Sequence, residues 1–156
     1  MWGPPNAKIA GSVLAVSLVW LSAVDIERML LPNAITYPLI ALGVGLAAFE
    51  GPDRLIDSII GAFAGYGVLR TVGAYYKWRT GRDGLGQGDA KLVAAAGAWL
   101  GWMSLPYVML AASLLGLIFA AIRWLMGRES LKKPIPFGPF IAAGFGGFWL
   151  FGVTPI

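Results

Sequence analysis

An all-helical, polytopic membrane protein with six spans is the fold class this sequence predicts, and three observations predict it. Of its 156 residues, 58% are hydrophobic and only 13% carry charge, against roughly 25% charged in soluble domains. Mean hydropathy is +0.72. The apolar residues gather in six segments of about membrane-spanning length, separated by clusters of charge, glycine and proline.

The opening "MWGPPNAK" has no basic stretch before its apolar run and no small-residue cleavage site in a suitable place. The first segment, about Ala7 to Val24, is therefore expected to be a retained span and not a removed signal peptide. It meets the polar "DIERMLLPN". The second segment covers about Ala34 to Phe49 and ends in "EGPDR", and the third covers about Leu55 to Tyr76. Its sequel "KWRTGRDGLGQG" is charged and glycine-rich, which predicts a loop. The fourth begins near Asp89 and runs to about Met103, where "MSLP" predicts a tight turn. The fifth covers about Pro106 to Met126, and after "GRESLKKPIP" the sixth covers about Phe137 to Val153. No internal repeat or soluble module interrupts this series, so residues 1–156 read as a single membrane-embedded domain.

Basic residues set the expected orientation. The loops after spans one, three and five, with their edges, hold Arg28, Lys77, Arg79, Arg82, Lys91, Arg123, Arg128, Lys132 and Lys133. The opposite side holds Lys8 and Arg54, while Arg70 falls inside span three. That asymmetry places the odd-numbered loops in the cytoplasm and both termini on the extracytoplasmic side. The net charge of +4 is then explained by topology, and no nucleic-acid partner is expected. Arg70 is expected to snorkel towards the cytoplasm, or else to pair with a carboxylate. The tryptophans fall mostly near span ends, as interfacial aromatics do.

The absence of cysteine and histidine narrows the chemistry. Disulfides, thiolate nucleophiles, Ser-His or Cys-His catalysis and the histidine pair of a zinc peptidase are all excluded. A hydrolase built from this chain must rely mainly on carboxylates, and no metal or cofactor is called for. Of eight acidic residues, Glu50, Asp53, Asp57, Asp83 and Glu129 fall in loops or at their edges, where solvated charge is ordinary. Asp25 and Glu27 close span one, and Asp89 opens span four. Asp25 and Asp89 share one expected depth on helices that could be neighbours. Two carboxylates across a water cannot easily both ionise, so one keeps a proton while the other takes one from the water. Such a pair can hydrolyse a peptide bond without a covalent intermediate. Helix ends predict a division of labour, with Asp89 at an N-terminus as the carboxylate and Asp25 at a C-terminus as the acid.

Gly86 and Gly88 stand just before Asp89. They are expected to permit backbone conformations closed to other residues and to let a substrate strand approach the acid. The paired glycines Gly61 and Gly65, Gly97 and Gly101, Gly144 and Gly147 are expected to let helices pack closely.

Three stretches carry a resemblance: "DIERMLLPN" (Asp25 to Asn33), "GLGQGDAKLVAAAGAWLGW" (Gly84 to Trp102) and "PIPFGPFIAAG" (Pro134 to Gly144). In this order they resemble the type IV prepilin peptidases, membrane aspartyl proteases of the Gly-x-Gly-Asp type. The resemblance implies six transmembrane helices in the bacterial cytoplasmic (inner) membrane. It also implies cleavage of the basic leader from prepilins or pseudopilins at the cytoplasmic face. Carried over, the catalytic pair is Asp25 and Asp89, Gly86 and Gly88 form the motif loop, and Lys91 matches a recurrent lysine. Glu27 and Asn33 join Lys91 as candidates for substrate binding or loop support. Glu27, Asp83 or Glu129 are candidates to receive leader charges. Pro136, Phe137, Gly138 and Pro139 match a proline-rich entry to the last helix, which prolines start well. Many members carry Cys-x-x-Cys pairs linked to N-methylation. Lacking cysteine, this chain resembles the short members, and no methyltransferase activity is expected. Expected partners are the prepilin or pseudopilin substrate and membrane lipid, with the oligomeric state left open. Two rival readings remain: a small ion- or proton-coupled transporter using Asp25, Asp89 and Arg70, and a non-enzymatic assembly subunit.

Overall fold

A computed structural model describes residues 5–28, 32–84, 86–127 and 135–151. The two chain ends, and Arg128, Glu129, Lys132, Lys133 and Pro134, lie outside the described residues. The fold is all-helical: α1 (Pro5–Arg28), α2 (Asn33–Glu50), α3 (Pro52–Thr80), α4 (Gln87–Leu100), α5 (Leu105–Leu125) and α6 (Gly138–Phe151). A single 3-10 turn, Trp102–Ser104, joins α4 to α5. All six apolar segments form helices, and most ends fall within a few residues of those read from the sequence.

Four of these segments, α1, α2, α3 and Trp102–Leu125, are long and apolar enough to cross a membrane. Together they fit a multi-pass membrane protein. Their outer faces carry exposed apolar side chains such as Phe49, Phe63, Val68, Leu110, Leu117 and Ile118, which in a bilayer meet lipid. The expectation of six spanning helices needs refinement at α4 and α6. Each has 14 described residues, or about 21 Å of helix, against a hydrocarbon core about 30 Å thick. α4 is apolar for a different reason. Leu92 through Ala96, and Ala98 through Leu100, are all buried by protein, and a helix apolar all round is one enclosed by its neighbours. It packs against α2, α3, α5 and α6. α6 packs in turn against α1, α4 and α5.

Two tight reversals depend on glycine. Gly51 alone separates α2 from α3, at φ 135°, and Pro52 then starts α3 with its φ preset. Gly101, at φ 85°, ends α4 before the 3-10 turn. These positive φ values disfavour any residue with a Cβ.

Small residues also set the closeness of α3 and α4. Gly61 and Gly97 face each other so tightly that a Cβ on either would strike the other's carbonyl group. One turn along, a Cβ at Gly65 would stand 2.7 Å from the Val93 carbonyl oxygen. Gly144 meets the Val108 carbonyl of α5 in the same manner, at 3.1 Å. Gly147 has open space around it, so helix contact does not explain that glycine. The close approach lets α3 supply hydrogen bonds to the end of α4. The Ser58 hydroxyl donates to the Ala98 carbonyl at 2.6 Å, and the Arg54 guanidinium donates to the Trp99 carbonyl at 3.4 Å.

The tryptophans divide. Trp20, Trp78, Trp102 and Trp124 are exposed, as interfacial rings should be. Trp99 is buried, donates its indole N–H to the Leu39 carbonyl at 2.8 Å and meets Trp149 edge-on at 6.4 Å between centroids. Gly11 and Gly43 leave room for these two rings. Trp99 and Trp149 therefore pack the interior, a correction to the interfacial reading.

Gly97→Ala should lower stability by about 1–3 kcal/mol, the usual cost of overpacking a tight core. Thermal unfolding of the purified protein in detergent would show this as a lowered midpoint, with Gly147→Ala unchanged.

Candidate active site

One end of the bundle gathers the residues singled out in the sequence. α1 ends there, and α2, α4 and α6 begin there, as their polar contacts show. Asp25 lies in the last turn of α1, only 6% exposed. A buried carboxyl needs partners, and it finds one on another helix: Oδ2 accepts the backbone N–H of Gly138, at the start of α6, at 3.0 Å. Asp89 lies in the first turn of α4 and is half-buried. The two carboxyls lie close enough for a charge on Asp25 to act on Asp89.

The helix-end division of labour between these acids does not survive. Asp25 faces the N-terminus of α6 as well as the C-terminus of its own helix, so both acids stand at helix N-termini. Their roles must be separated by other means.

The glycine expectation is also corrected in its physics. Gly86 adopts φ −65° and ψ 138°, which any residue can adopt, and Gly88 lies inside the first turn of α4. Neither position draws on glycine's conformational freedom. What Gly86 supplies is an absence: it is exposed, and a Cβ there would stand 3.4 Å from Asp89 Oδ2. The missing side chain leaves that carboxyl uncovered.

Lys91 sits two residues after Asp89, a spacing that does not place side chains on one helix face. Its ammonium instead donates to Asn33 Oδ1 at the start of α2 and stands 5.2 Å from the centroid of the Tyr37 ring. Asn33 and Tyr37 are four residues apart and form one face of α2 towards it. This is a cross-link between helix starts, and Tyr37 is a member that sequence reasoning missed. Glu27 is exposed, forms no salt bridge among the described residues and, two residues from Asp25, points elsewhere on α1. The structure does not bring it to the acid pair. Asp83 is tied to Lys77 at 3.0 Å on the surface. Arg70 is exposed beside the Tyr66 ring, 6.0 Å from its centroid, and pairs with no carboxylate among the described residues. Three metal-ligating side chains do not come together anywhere among the described residues.

Gly138, Ser58 and Arg54 were also missed as partners. Arg54 read as a charge on the outer side and Ser58 fell inside the third apolar segment, and nothing in their spacing points at the carbonyls ending α4.

Two buried or half-buried acids, held at the starts and ends of different helices, form an arrangement suited to water activation. Comparison with known proteins bears on the lineage. Residues 12–121 match the model of the type IV leader peptidase family. The chain belongs to this family. It is 44% identical over 136 residues to a prepilin leader peptidase/N-methyltransferase of Aeromonas salmonicida (strain A449), covering 85% of this chain and 47% of that protein. A protein of the same name from Burkholderia pseudomallei (strain 1026b) is 39% identical over 155 residues, covering 99% of this chain and 50% of its own length. The Escherichia coli (strain K12) protein of that name is 45% identical over 125 residues, covering 80% and 55%. The chain thus spans about half the length of these leader peptidase relatives. No solved structure matches it.

Within this leader peptidase fold the Lys91–Asn33 bond should couple α4 to α2. A double-mutant cycle with Lys91→Met and Asn33→Ala should give a coupling of about 1 kcal/mol, the net worth of such a bond. Unfolding midpoints of the four proteins in detergent would measure it.

Proposed function

We propose that this chain is a membrane aspartyl endopeptidase that removes the basic leader from type IV prepilins or pseudopilins. The observation that carries the reading is the convergence of Asp25 and Asp89, from separate helices at one end of the bundle, close enough for a charge on Asp25 to act on Asp89. Family membership and the names of its relatives supply the substrate class.

The pair shares one proton. The ionised carboxylate removes a proton from a water held between the two, and the resulting hydroxide attacks the scissile carbonyl carbon. The protonated partner donates to the carbonyl oxygen as charge develops there. As the tetrahedral adduct collapses, one of its hydroxyls returns a proton to the pair while the C–N bond breaks and the amine leaves with a proton from the pair, so the shared-proton state returns. His, Cys and nucleophilic Ser are not required.

Cleavage takes place at the cytoplasmic face of the bacterial inner membrane, in a six-helix arrangement with both termini outside. The support is the distribution of charge. The described ends of α1, α3 and α5 carry Arg28, Lys77, Arg79 and Arg123, at the end of the bundle where the acids lie, and basic residues mark cytoplasmic loops. Nothing observed favours an ion path, since Arg70 stands apart from both acids on the exposed face of α3.

Asp25→Asn and Asp89→Asn should each lower cleavage of a purified prepilin by about 10²- to 10⁴-fold, the usual contribution of an acid–base group, with unchanged elution from a sizing column. Wild-type rates in either variant would refute the reading. The absence of cysteine from the sequence gives a clean test of orientation. In intact cells, a membrane-impermeant maleimide should label Asp53→Cys, and should label Arg82→Cys only after permeabilisation.

A further inference from the structure

The first turn of α6 has an unusual hydrogen-bond account. A helix begins with four backbone N–H groups lacking partners inside the helix. Here Phe140 and Ile141 both donate to the Phe137 carbonyl, at 3.1 and 3.2 Å. Pro139 has no N–H to offer. One donor of this turn is left, that of Gly138, and it is directed at Asp25 Oδ2 at 3.0 Å in a buried setting. The same residue is where Asp25 rests. A Cβ on Gly138 would stand 2.5 Å from Oδ2, 2.9 Å from Cγ and 3.4 Å from Cβ of Asp25. Real Cβ atoms do not approach so near, so the carboxyl occupies the volume that a side chain would fill. Both observations concern a residue at φ values open to any amino acid, since Gly138 is helical and is not among the glycines with positive φ. Backbone freedom therefore does not explain this glycine.

We infer that Gly138 is a positioning residue for Asp25: its N–H fixes one carboxyl oxygen, and its lack of a side chain is the seat in which the carboxyl lies. The inference rests on the peptidase reading for its catalytic consequence. α6 also packs on α4, so the residue that seats Asp25 belongs to the helix that links it to the helix of Asp89.

Gly138→Ala should displace the Asp25 carboxyl and lower kcat for prepilin cleavage by about 10- to 100-fold, as small misplacements of reacting groups do, with KM within about twofold. Replacing Gly138 by glycolic acid, which turns the amide into an ester, removes the donor and adds no atom to the seat. It should lower kcat by about tenfold. Gly144→Ala, also on α6, is the packing control: it crowds the Val108 carbonyl of α5 but not Asp25, and should keep the wild-type kcat. A second readout needs no activity. Mass spectrometry would follow carbodiimide labelling of Asp25 against Asp89 in the same molecule, and the Asp25 rate should rise about tenfold in Gly138→Ala. If wild type fails to cleave prepilin, or Asp25→Asn cleaves equally well, the peptidase reading falls while the labelling still tests the seat. Unchanged Asp25 labelling in Gly138→Ala overturns the inference, as does an unchanged kcat in both Gly138 variants. An equal loss of kcat in Gly144→Ala also overturns it, by making the effect one of packing alone.

Discussion

The burial of α4 on every side is the constraint from which the rest of the arrangement follows. From Leu92 to Leu100 the helix is enclosed by protein, so its last carbonyls need protein donors, because each unpaired buried group costs about 1–3 kcal/mol. α3 supplies two: the Ser58 hydroxyl to Ala98 and the Arg54 guanidinium to Trp99. Both reach only because Gly61 and Gly97 let the backbones touch. Arg54 is itself anchored by Glu50 across the Gly51 reversal, at 2.9 Å. The C-terminal end of α4 is thus fixed in depth by α3. The helix is rigid over its length of about 21 Å, so the height of Asp89 at its other end is fixed as well. Lys91, bonded to Asn33, adds a tie near that end. Asp89 owes its position to contacts far from its own carboxyl.

Asp25 is placed by an independent route. Its helix packs chiefly on α6 and touches α2, and its carboxyl is held by the α6 backbone. The two acids therefore belong to different groups of helices: α4 with α2 and α3, α1 with α6 and α5. α6 makes the largest contact between the groups, against α4, with smaller ones from α5 to α4 and from α1 to α2. Gly138 and Ala142 of α6, both small, are buried.

Much of this was legible in the sequence because lipid imposes a simple grammar. Length and apolarity marked every helix, and charge marked the ends. Asp25 and Asp89 stood out because each interrupts an apolar run at a depth where charge is expensive. Three kinds of information were not legible. Apolarity does not reveal whether lipid or protein surrounds a helix, so α4 read as a spanning segment like the others. Glycine does not announce which of its properties is in use. Gly51 and Gly101 use positive φ, Gly61 and Gly97 use closeness, and Gly86 and Gly138 use the absence of a side chain beside a carboxyl. Backbone donors carry no residue identity at all, so the N–H that meets Asp25 could not be read from any spacing. Pro139 was the one trace of it, since a proline at that position removes the competing donor.

The two glycines beside the acids differ in a way that bears on how a substrate would enter. Gly138 is buried, and the space it leaves is already filled by Asp25. Gly86 is exposed, and the space it leaves opens from outside onto Asp89. Solvent contact follows the same order, with Asp25 almost enclosed and Asp89 half open. On the peptidase reading, a strand approaching in extended form passes over Gly86 and meets Asp89 first. Its scissile carbonyl then turns inward to Asp25, which is held from behind by α6. The glycine before Asp89 serves the incoming chain, and the glycine opening α6 serves the acid. A Cβ at Gly138 would collide with the Asp25 carboxyl, whereas one at Gly86 would meet Asp89 Oδ2 at ordinary contact distance, 3.4 Å.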